Sequence, residues 1–509
     1  MDAVATDMRD GELLAAVDLG SNSFHLVVAR YEHGRLRMID RMRDSVRLAM
    51  GLRADRTLDP ERRERALACL ARFGQRLRAL PSHRVRAVAT NTARQLAHPQ
   101  TFLLPAETAL GHPIEVVSGR EEARLIYLGV AHDLAQSSEY RLVVDIGGGS
   151  TEFIIGQGFD ALETESLQMG CIASTLRFFG DGHFTRPRWQ QAQTEIAVEL
   201  QQFAADYRAR GWAEAIGSSG TAKAIGNIVQ ANGWSEQGIT AASLARLRDA
   251  ILDAGSVEKL RLTGLAEDRT RAIAGGVAIL QAVFSTFALE HMAVCETAMR
   301  EGLLYDMVGQ AMHGDPRAAS IAALASRYAV DRAQAARVHY AAMELFEQVA
   351  NAWGLGGPER DLLRWAADIH EIGLAIAHSL HHVHGAYIVA HSDLDGFSRQ
   401  GQQALAAIIR SHRRKPDRAT IATLPERLRT PVRRLTALLR LAALLERARS
   451  TEPPPRLRLG ADDKTLHLEL SRDWLDQHPL TRADLDQERD YFKILDLKLR
   501  VGEIEKAAA

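Results

Sequence analysis

The chain has only three cysteines in 509 residues: Cys69, Cys171 and Cys295, an odd and widely spaced set. No disulfide framework or zinc ribbon can be built from them, and a reducing cytoplasm is the simplest setting. Aromatic residues are few, at 6%, and neither sign of charge dominates, with 63 Lys+Arg against 64 Asp+Glu. Without a global field, nucleic acid is not an expected partner and any membrane association is peripheral at most. Long apolar runs are also missing. The longest uncharged stretch, residues 272–289, contains Gly275, Gly276, Gln281, Ser285 and Thr286 and is bounded by charges, so it reads as a buried helix. The opening MDAVATDMRDGE is acidic and poor in apolar side chains, unlike a signal peptide. Lysine is rare too: only 7 of the 63 basic residues, the rest being arginine, whose forked donors suit phosphate oxygens. What remains is ordinary globular composition, 46% apolar and 25% charged. At roughly 100–200 residues per domain, it suggests about three or four domains.

An internal repeat stands out. Residues 16–28 read AVDLGSNSFHLVV and residues 143–155 read VVDIGGGSTEFII. They align without gaps, Asp18 on Asp145, Gly20 on Gly147 and Ser23 on Ser150. Each is an apolar strand, a tight turn of small residues and a second apolar strand. Glycines let backbone N–H groups approach an anion closely, and Ser or Asn side chains add donors. This makes Ser21, Asn22 and Ser23 in one turn, and Gly147, Gly148, Gly149 and Ser150 in the other, candidate phosphate ligands. Asp18 and Asp145, at the strand ends, suit a hydrated Mg²⁺, which keeps its waters and takes few carboxylates.

The segments VDLGSNSFHLVVAR, SGREEARLIYLGV, DIGGGSTEF, GSSGTAKAIG and AMREGLLYDM together resemble the exopolyphosphatase / guanosine pentaphosphate phosphatase (Ppx/GppA) family over residues 13–310. Through 320–450 the likeness is looser, where DIHEIGLAIAH and HGAYIVAHSDLDGF are similar to the helical module of the long exopolyphosphatases. The resemblance implies an α/β fold with duplicated actin-like (ribonuclease H-like) ATPase lobes, then an all-α HD-like module and a small β-rich C-terminal domain. The corresponding boundaries are 1–135, 136–314, 315–450 and 451–509.

Further candidates follow. Residues 115–117 are strand-like, and Ser118 opens a helix running to about Val130, with Glu121 placed for a capping box. That leaves Glu122 free, and the resemblance assigns it as the catalytic base acting on water. Glu152 stands where the first repeat has His25; the resemblance places it in the cleft as a metal ligand. After a strand at 85–89, Asn91, Thr92 and Arg94 face phosphate, with Arg94 able to bind it bidentately. Gly217, Ser218, Ser219, Gly220 and Thr221 precede a helix and suit phosphate at its N-terminus. Arg269 matches a family arginine assisting in the cleft, with Arg271 as the nearby alternative.

In the C-terminal half, His313-Gly314-Asp315-Pro316 marks a boundary. Amphipathic helices are expected at 318–328, 331–353, 358–370 and 430–449. Residues 365–373 resemble the HD phosphohydrolase signature but carry His370-Glu371 where His-Asp is expected. The nearby His378, His381, His382, His384 and His391 are therefore discounted as a metal site. Residues 410–440 hold ten Arg/Lys against two acidic residues, a surface that would attract a polyanion. Pro453-Pro454-Pro455 reads as a stiff linker. Beyond it, alternating leucines predict a hairpin about Gly460 to Lys464, and a third strand through Leu495, Leu497, Leu499 and Val501.

The leading expectation is a cytoplasmic exopolyphosphatase: Mg²⁺, or another divalent cation, assists release of terminal orthophosphate from inorganic polyphosphate, with K⁺ as a further candidate ion. Guanosine pentaphosphate 5′-phosphohydrolase, which yields guanosine tetraphosphate, is the alternative from the same family. An actin-like ATPase or sugar kinase, and a non-enzymatic alarmone or polyphosphate sensor, are more distant ones. The resemblance also implies a homodimer.

Overall fold

The computed structural model describes residues 8–32, 35–134, 138–312, 315–450 and 457–504. His313, Gly314 and the triple proline 453–455 lie outside the described residues. Two compact units form, Met1–Asp315 and Pro316–Ala509.

The first unit contains two sheets. One is built from β1 (Leu13–Leu19), β2 (Phe24–Glu32), β3 (Arg35–Asp44), β4 (Val85–Ala89) and β5 (Ile114–Val116), in the order β3-β2-β1-β4-β5. The other uses β6 (Arg141–Ile146), β7 (Thr151–Gln157), β8 (Asp160–Leu167), β9 (Glu214–Ser218), β10 (Ile239–Thr240) and β11 (His291–Val294), in the order β10-β11-β9-β6-β7-β8. Strand senses repeat as well. In each sheet the repeat forms an antiparallel hairpin, a third strand pairs antiparallel outside it, and the first strand runs parallel to the next two. Even the register shifts correspond: one falls between Val28 and Ala29, the other between Ile155 and Gly156. A matched bulge, which re-aims a strand, is a detail that unrelated hairpins would not share.

The strands β1 and β6 are almost wholly buried. Central strands covered on both faces need continuous apolar runs, which explains LLAAVDL and RLVVDI. The helix Gly119–Asp133 packs on Met299–Met312 so closely that a Cβ on Gly129 would meet the Ala298 carbonyl and one on Gly302 that of Leu125. Residues 272–289 form a buried helix over Ile273–Phe287. Among the described residues no helix is long and apolar enough to cross a membrane.

The second unit begins with helices including Pro316–Arg327, Arg332–Trp353, Gly357–Ile369, His381–His391, Arg399–Ser411 and Glu426–Leu445. It ends with β12 (Leu457–Ala461), β13 (Thr465–Ser471) and β14 (Lys498–Ile504). The expected hairpin and third strand are present, but the tail is not predominantly β: helices Arg472–Gln477 and Pro479–Ile494 lie between β13 and β14. Their physical reason is topological. The strand β14 pairs parallel to β13, and parallel neighbours require a crossover. Leu485, Glu488 and Phe492 form its buried stripe; two apolar residues among many charges left that helical period unread.

Candidate active site

The carboxyl ends of the parallel strands in both sheets open on one cavity of about 490 Å³. Asp18 lies near the end of β1, Thr90 follows β4, Asp145 lies near the end of β6, and Ser219 follows β9. Crevices beyond the carboxyl ends of parallel strands are where open α/β sheets bind ligands. Asp18, Glu122 and Asp145 share this cavity with Ser21, Asn22, Ser23, Gly147, Gly148, Gly149 and Ser150.

The two glycine turns abut. A Cβ on Gly149 would lie 2.6 Å from the Asn91 side-chain oxygen and 3.2 Å from Ser21 Oγ, and one on Gly148 would lie 3.3 Å from Ser21 Cβ. Residues larger than glycine would push the turns apart. The Thr92 hydroxyl donates to Ser21 Oγ at 2.8 Å, tying the start of helix Asn91–Gln95 to the first turn. Asn91 is engaged on both sides, donating to Gln168 at 2.8 Å and accepting from Gln95 at 2.6 Å.

Glu121 and Glu122 divide their tasks. Ser118 Oγ accepts from the Glu121 amide at 3.1 Å. The Glu121 carboxylate takes two 2.8 Å bonds from Arg124, which also binds Asp306 at 2.7 Å, and Arg86 completes this buried cluster. The adjacent Glu122 is 8% exposed, and its exposed part faces the cavity. Arg94 Nη1 donates to Glu122 Oε2 at 2.8 Å and to the Val117 carbonyl at 3.0 Å. Thus Arg94 stands against the carboxylate and is not part of the cavity lining.

The third loop is divided as well. Ser219, Gly220 and Thr221 line the cavity, whereas Gly217 and Ser218 finish strand β9. Ser219 adopts φ +88°, an unusual conformation for a side-chain-bearing residue, and its Oγ accepts from the amides of Thr221 and Ala222 at 3.1 and 3.2 Å. Backbone strain of this kind persists where surroundings impose it and clusters at functional sites. Arg269 lies against Gly220 and lines the cavity, while Arg271 is exposed and does not. Burial, with Arg43 nearby, pulls the Arg269 pKa down.

Several cavity residues were given no role in the sequence reading, among them Lys223, Arg300 and His25. Lys223 was the most legible of them, a rare lysine one helical turn beyond Ser219. Arg300 was quoted within AMREGLLYDM without being given a role. It donates to Glu301 at 2.9 Å and its Nη1 lies 3.4 Å from His25 Nδ1. Burial first, then Arg300, push the His25 pKa down to about 3, so it is neutral and accepts from the guanidinium.

The carboxylates are electrostatically crowded. Burial, then Glu122 and Asp145, push Asp18 up to about 8; Arg300 opposes them. Burial pushes Asp145 up to about 7, reinforced by Glu122 and opposed by a hydrogen bond from Ser218. Glu152, opposite Asp145 in the β6–β7 register, is buried and accepts from Ser166 at 2.9 Å. Its pKa too is raised, by burial and then by Glu122 and Asp145. Asp18 Oδ1 is buried without a hydrogen-bond partner. Among the described residues no group of three or more His, Cys, Asp or Glu has the arrangement of a complete metal cage. A donor set of paired aspartates with an orphaned oxygen fits a cation that takes one or two carboxylates and completes its shell with water and substrate phosphate, as Mg²⁺ does.

Of the histidines after His370, His381 and His382 gather with His370 and His412, whereas His391 lies against the Tyr387 ring at a tilt of 41°.

Comparison with known proteins agrees with this geometry. The Ppx/GppA phosphatase family matches residues 27–311, and its domain III matches residues 317–489. A crystal structure described as an exopolyphosphatase from Cytophaga hutchinsonii superposes with a TM-score of 0.54 at 22% identity, covering 60% of this chain and all of its own, 100%. A Ppx/GppA family member from Aquifex aeolicus gives 0.51 at 23% identity, covering 59% of this chain and 99% of its own. These structures share the fold of more than half of the chain. The family match spans more than half of the sequence, and the chain belongs to the Ppx/GppA phosphatases, which are hydrolases.

Proposed function

We propose that the protein is an exopolyphosphatase that releases orthophosphate from the end of inorganic polyphosphate with the help of a divalent cation. The observation that carries this reading is the meeting of Asp18, Asp145 and Glu122 on one cavity walled by both glycine turns. The duplicated strand order is also what an actin-like ATPase fold implies.

Phosphoryl transfer needs positioning and charge stabilisation more than covalent help. The terminal phosphate would sit between the turn 147–150 and the turn 21–23, on backbone N–H groups and the Ser and Asn side chains. Ser219, Gly220 and Thr221 add donors at a helix start, and Lys223, Arg269 and Arg300 supply positive charge. Asp18 and Asp145 would hold the cation, with Glu152 beside Asp145; the cation would neutralise charge on the non-bridging oxygens. Glu122 accepts a proton from the attacking water. Arg94, bonded to one carboxylate oxygen, fixes the group's rotation and leaves the other oxygen for that water. The new P–O bond forms to water oxygen as the anhydride bond breaks, and the shortened chain leaves as a phosphate oxyanion, which needs no proton.

Glu122→Gln preserves shape and removes the base, so kcat on long-chain polyphosphate should fall by about 10²–10⁴, the usual worth of general-base catalysis. Unchanged turnover would sink the assignment of Glu122. Competition between long-chain polyphosphate and guanosine pentaphosphate tests the substrate: preferential hydrolysis of the nucleotide would replace this reading with the 5′-phosphohydrolase one.

A further inference from the structure

The second unit contains a separate cavity of about 320 Å³ whose charged lining is mainly arginine. Five arginines line it, Arg413, Arg414, Arg440, Arg447 and Arg449, against three acids, Glu371, Asp484 and Glu488. Three of the arginines are paired. Arg440, 1% exposed, makes two bonds to Glu488 at 2.7 and 2.8 Å; Arg449 binds Glu371 at 2.7 and 2.8 Å; Arg447 binds Asp484. Arg413 has no hydrogen-bond or ion-pair partner among the described residues, though it is half-buried. Burial, then Arg447 and Arg414, pull its pKa down. A guanidinium partly stripped of water beside two others favours an arriving anion.

The imidazoles supply the complementary half. His370 Nδ1 lies 2.8 Å from the Ala367 carbonyl, His412 Nδ1 lies 2.7 Å from that of Ile409, and His381 Nδ1 lies 3.3 Å from that of His378. A carbonyl only accepts, so the proton sits on Nδ1. Burial keeps all three rings neutral. Their Nε2 atoms are therefore bare acceptors on the rings that line the cavity.

Bare imidazole nitrogens held by backbone carbonyls also occur around metals. Here the five arginines argue against a cation, and among the described residues no metal-holding group is present. A phosphate group satisfies both halves of the lining. Its charged oxygens suit guanidinium donors, and its P–OH, or a hydroxyl of the molecule carrying it, suits a neutral Nε2.

We propose that this cavity is a second phosphate-binding site, distinct from the cleft containing Asp18 and Glu122, and that it takes a small hydroxyl-bearing phosphate with Arg413 as its principal anchor. Free orthophosphate and the phosphate of a nucleotide offer the same group.

Calorimetric titration of the full chain, without added metal, tests this with three probes: orthophosphate, guanosine 5′-monophosphate and guanosine. Arg413→Gln should weaken binding of the phosphate-bearing probe at least about tenfold, the loss expected for one charge-assisted contact. Arg269→Gln, in the first cavity, should leave that binding step intact. Imidazole ¹⁵N resonances of His370 and His412 should shift on titration in the Arg269→Gln protein. Equal binding of orthophosphate and the nucleotide assigns the site to the free ion, whereas tighter nucleotide binding assigns it to the ester. Arg413→Lys, which retains the charge, guards against misfolding and should keep part of the affinity. Absence of any second binding step, binding unaltered by Arg413→Gln, equal binding of guanosine, or Zn²⁺ bound more tightly than phosphate by the same histidines would each overturn the proposal.

Discussion

The hairpins β1–β2 and β6–β7 are copies that have drifted apart at one informative point. In register, Asp18 faces His25 in the first, and Asp145 faces Glu152 in the second. The aspartates are retained, but the partner is a neutral acceptor for Arg300 in one lobe and a third acid in the other. Both pairs share one cleft: Lys223 and Arg300 act on His25 and on Asp145 alike, and Arg43 and Arg269 add to the positive charge around His25. A duplicated backbone thus keeps the two aspartates in matching places, and a single exchange of side chain leaves a neutral ring beside one and a further carboxylate beside the other.

That contrast can be broken most severely at the aspartates. Asp145→Asn should lower kcat by at least about 10², on the scale of losing one preorganised electrostatic group. It should also raise the divalent-cation concentration needed for half-maximal rate. Asp18→Asn should do the same. If either variant kept wild-type metal dependence, the two turns would not be equivalent in function.

A stability measurement comes next. Asp18 and Asp145 are raised to about 8 and about 7 from the ordinary aspartate value, so the folded chain retains protons that the unfolded chain has lost. Stability contributed this way falls as pH rises through those values. The buried imidazoles of the second unit, whose pKa values are pulled down, hold fewer protons than free histidine, which is about half protonated at pH 6.5 and neutral by about pH 8, so their opposing contribution is confined to the start of the range. Metal-free protein should therefore lose several degrees of Tm between about pH 6.5 and about pH 8.5. Asp145→Asn should flatten the decline, and added Mg²⁺ should oppose it. A Tm that rose over this range would contradict the carboxylate crowding.

The smallest effect is expected at His25. His25→Gln keeps an acceptor for Arg300 and should change KM for polyphosphate by less than about threefold, whereas His25→Leu removes it and should raise KM by about tenfold, one hydrogen bond to a charged group. Equal KM values for the two variants would show that the ring does not orient Arg300.

Legibility in the sequence followed the range of the causes. The repeat was readable because its alternating apolar runs and small-residue turns are local, and the matched bulges at Val28 and Ile155 show how far the likeness extends. The division of labour between Glu121 and Glu122 was half readable. Ser118 announced a helix start, but Arg86 and Asp306, which occupy Glu121, come from distant segments. The Arg94–Glu122 bond was hidden for the same reason, as were the roles of Lys223 and Arg300, which lie within GSSGTAKAIG and AMREGLLYDM but reach the cavity only through the packing of distant segments. In the second unit the histidine-rich run was visible, but not that His412 would join it from another helix end.

Gly170 gives the second turn a further property. A Cβ there would collide with the backbone of Gly148 and Gly149, while the Gly147 and Gly148 carbonyls accept from the amides of Cys171 and Ile172 at 2.9 and 3.0 Å. The loop is thus clamped before any ligand arrives, and little configurational freedom is left to surrender on capture. Such a cradle discriminates by shape at the moment of encounter, and a single methyl group at residue 170 would be enough to spoil its aim.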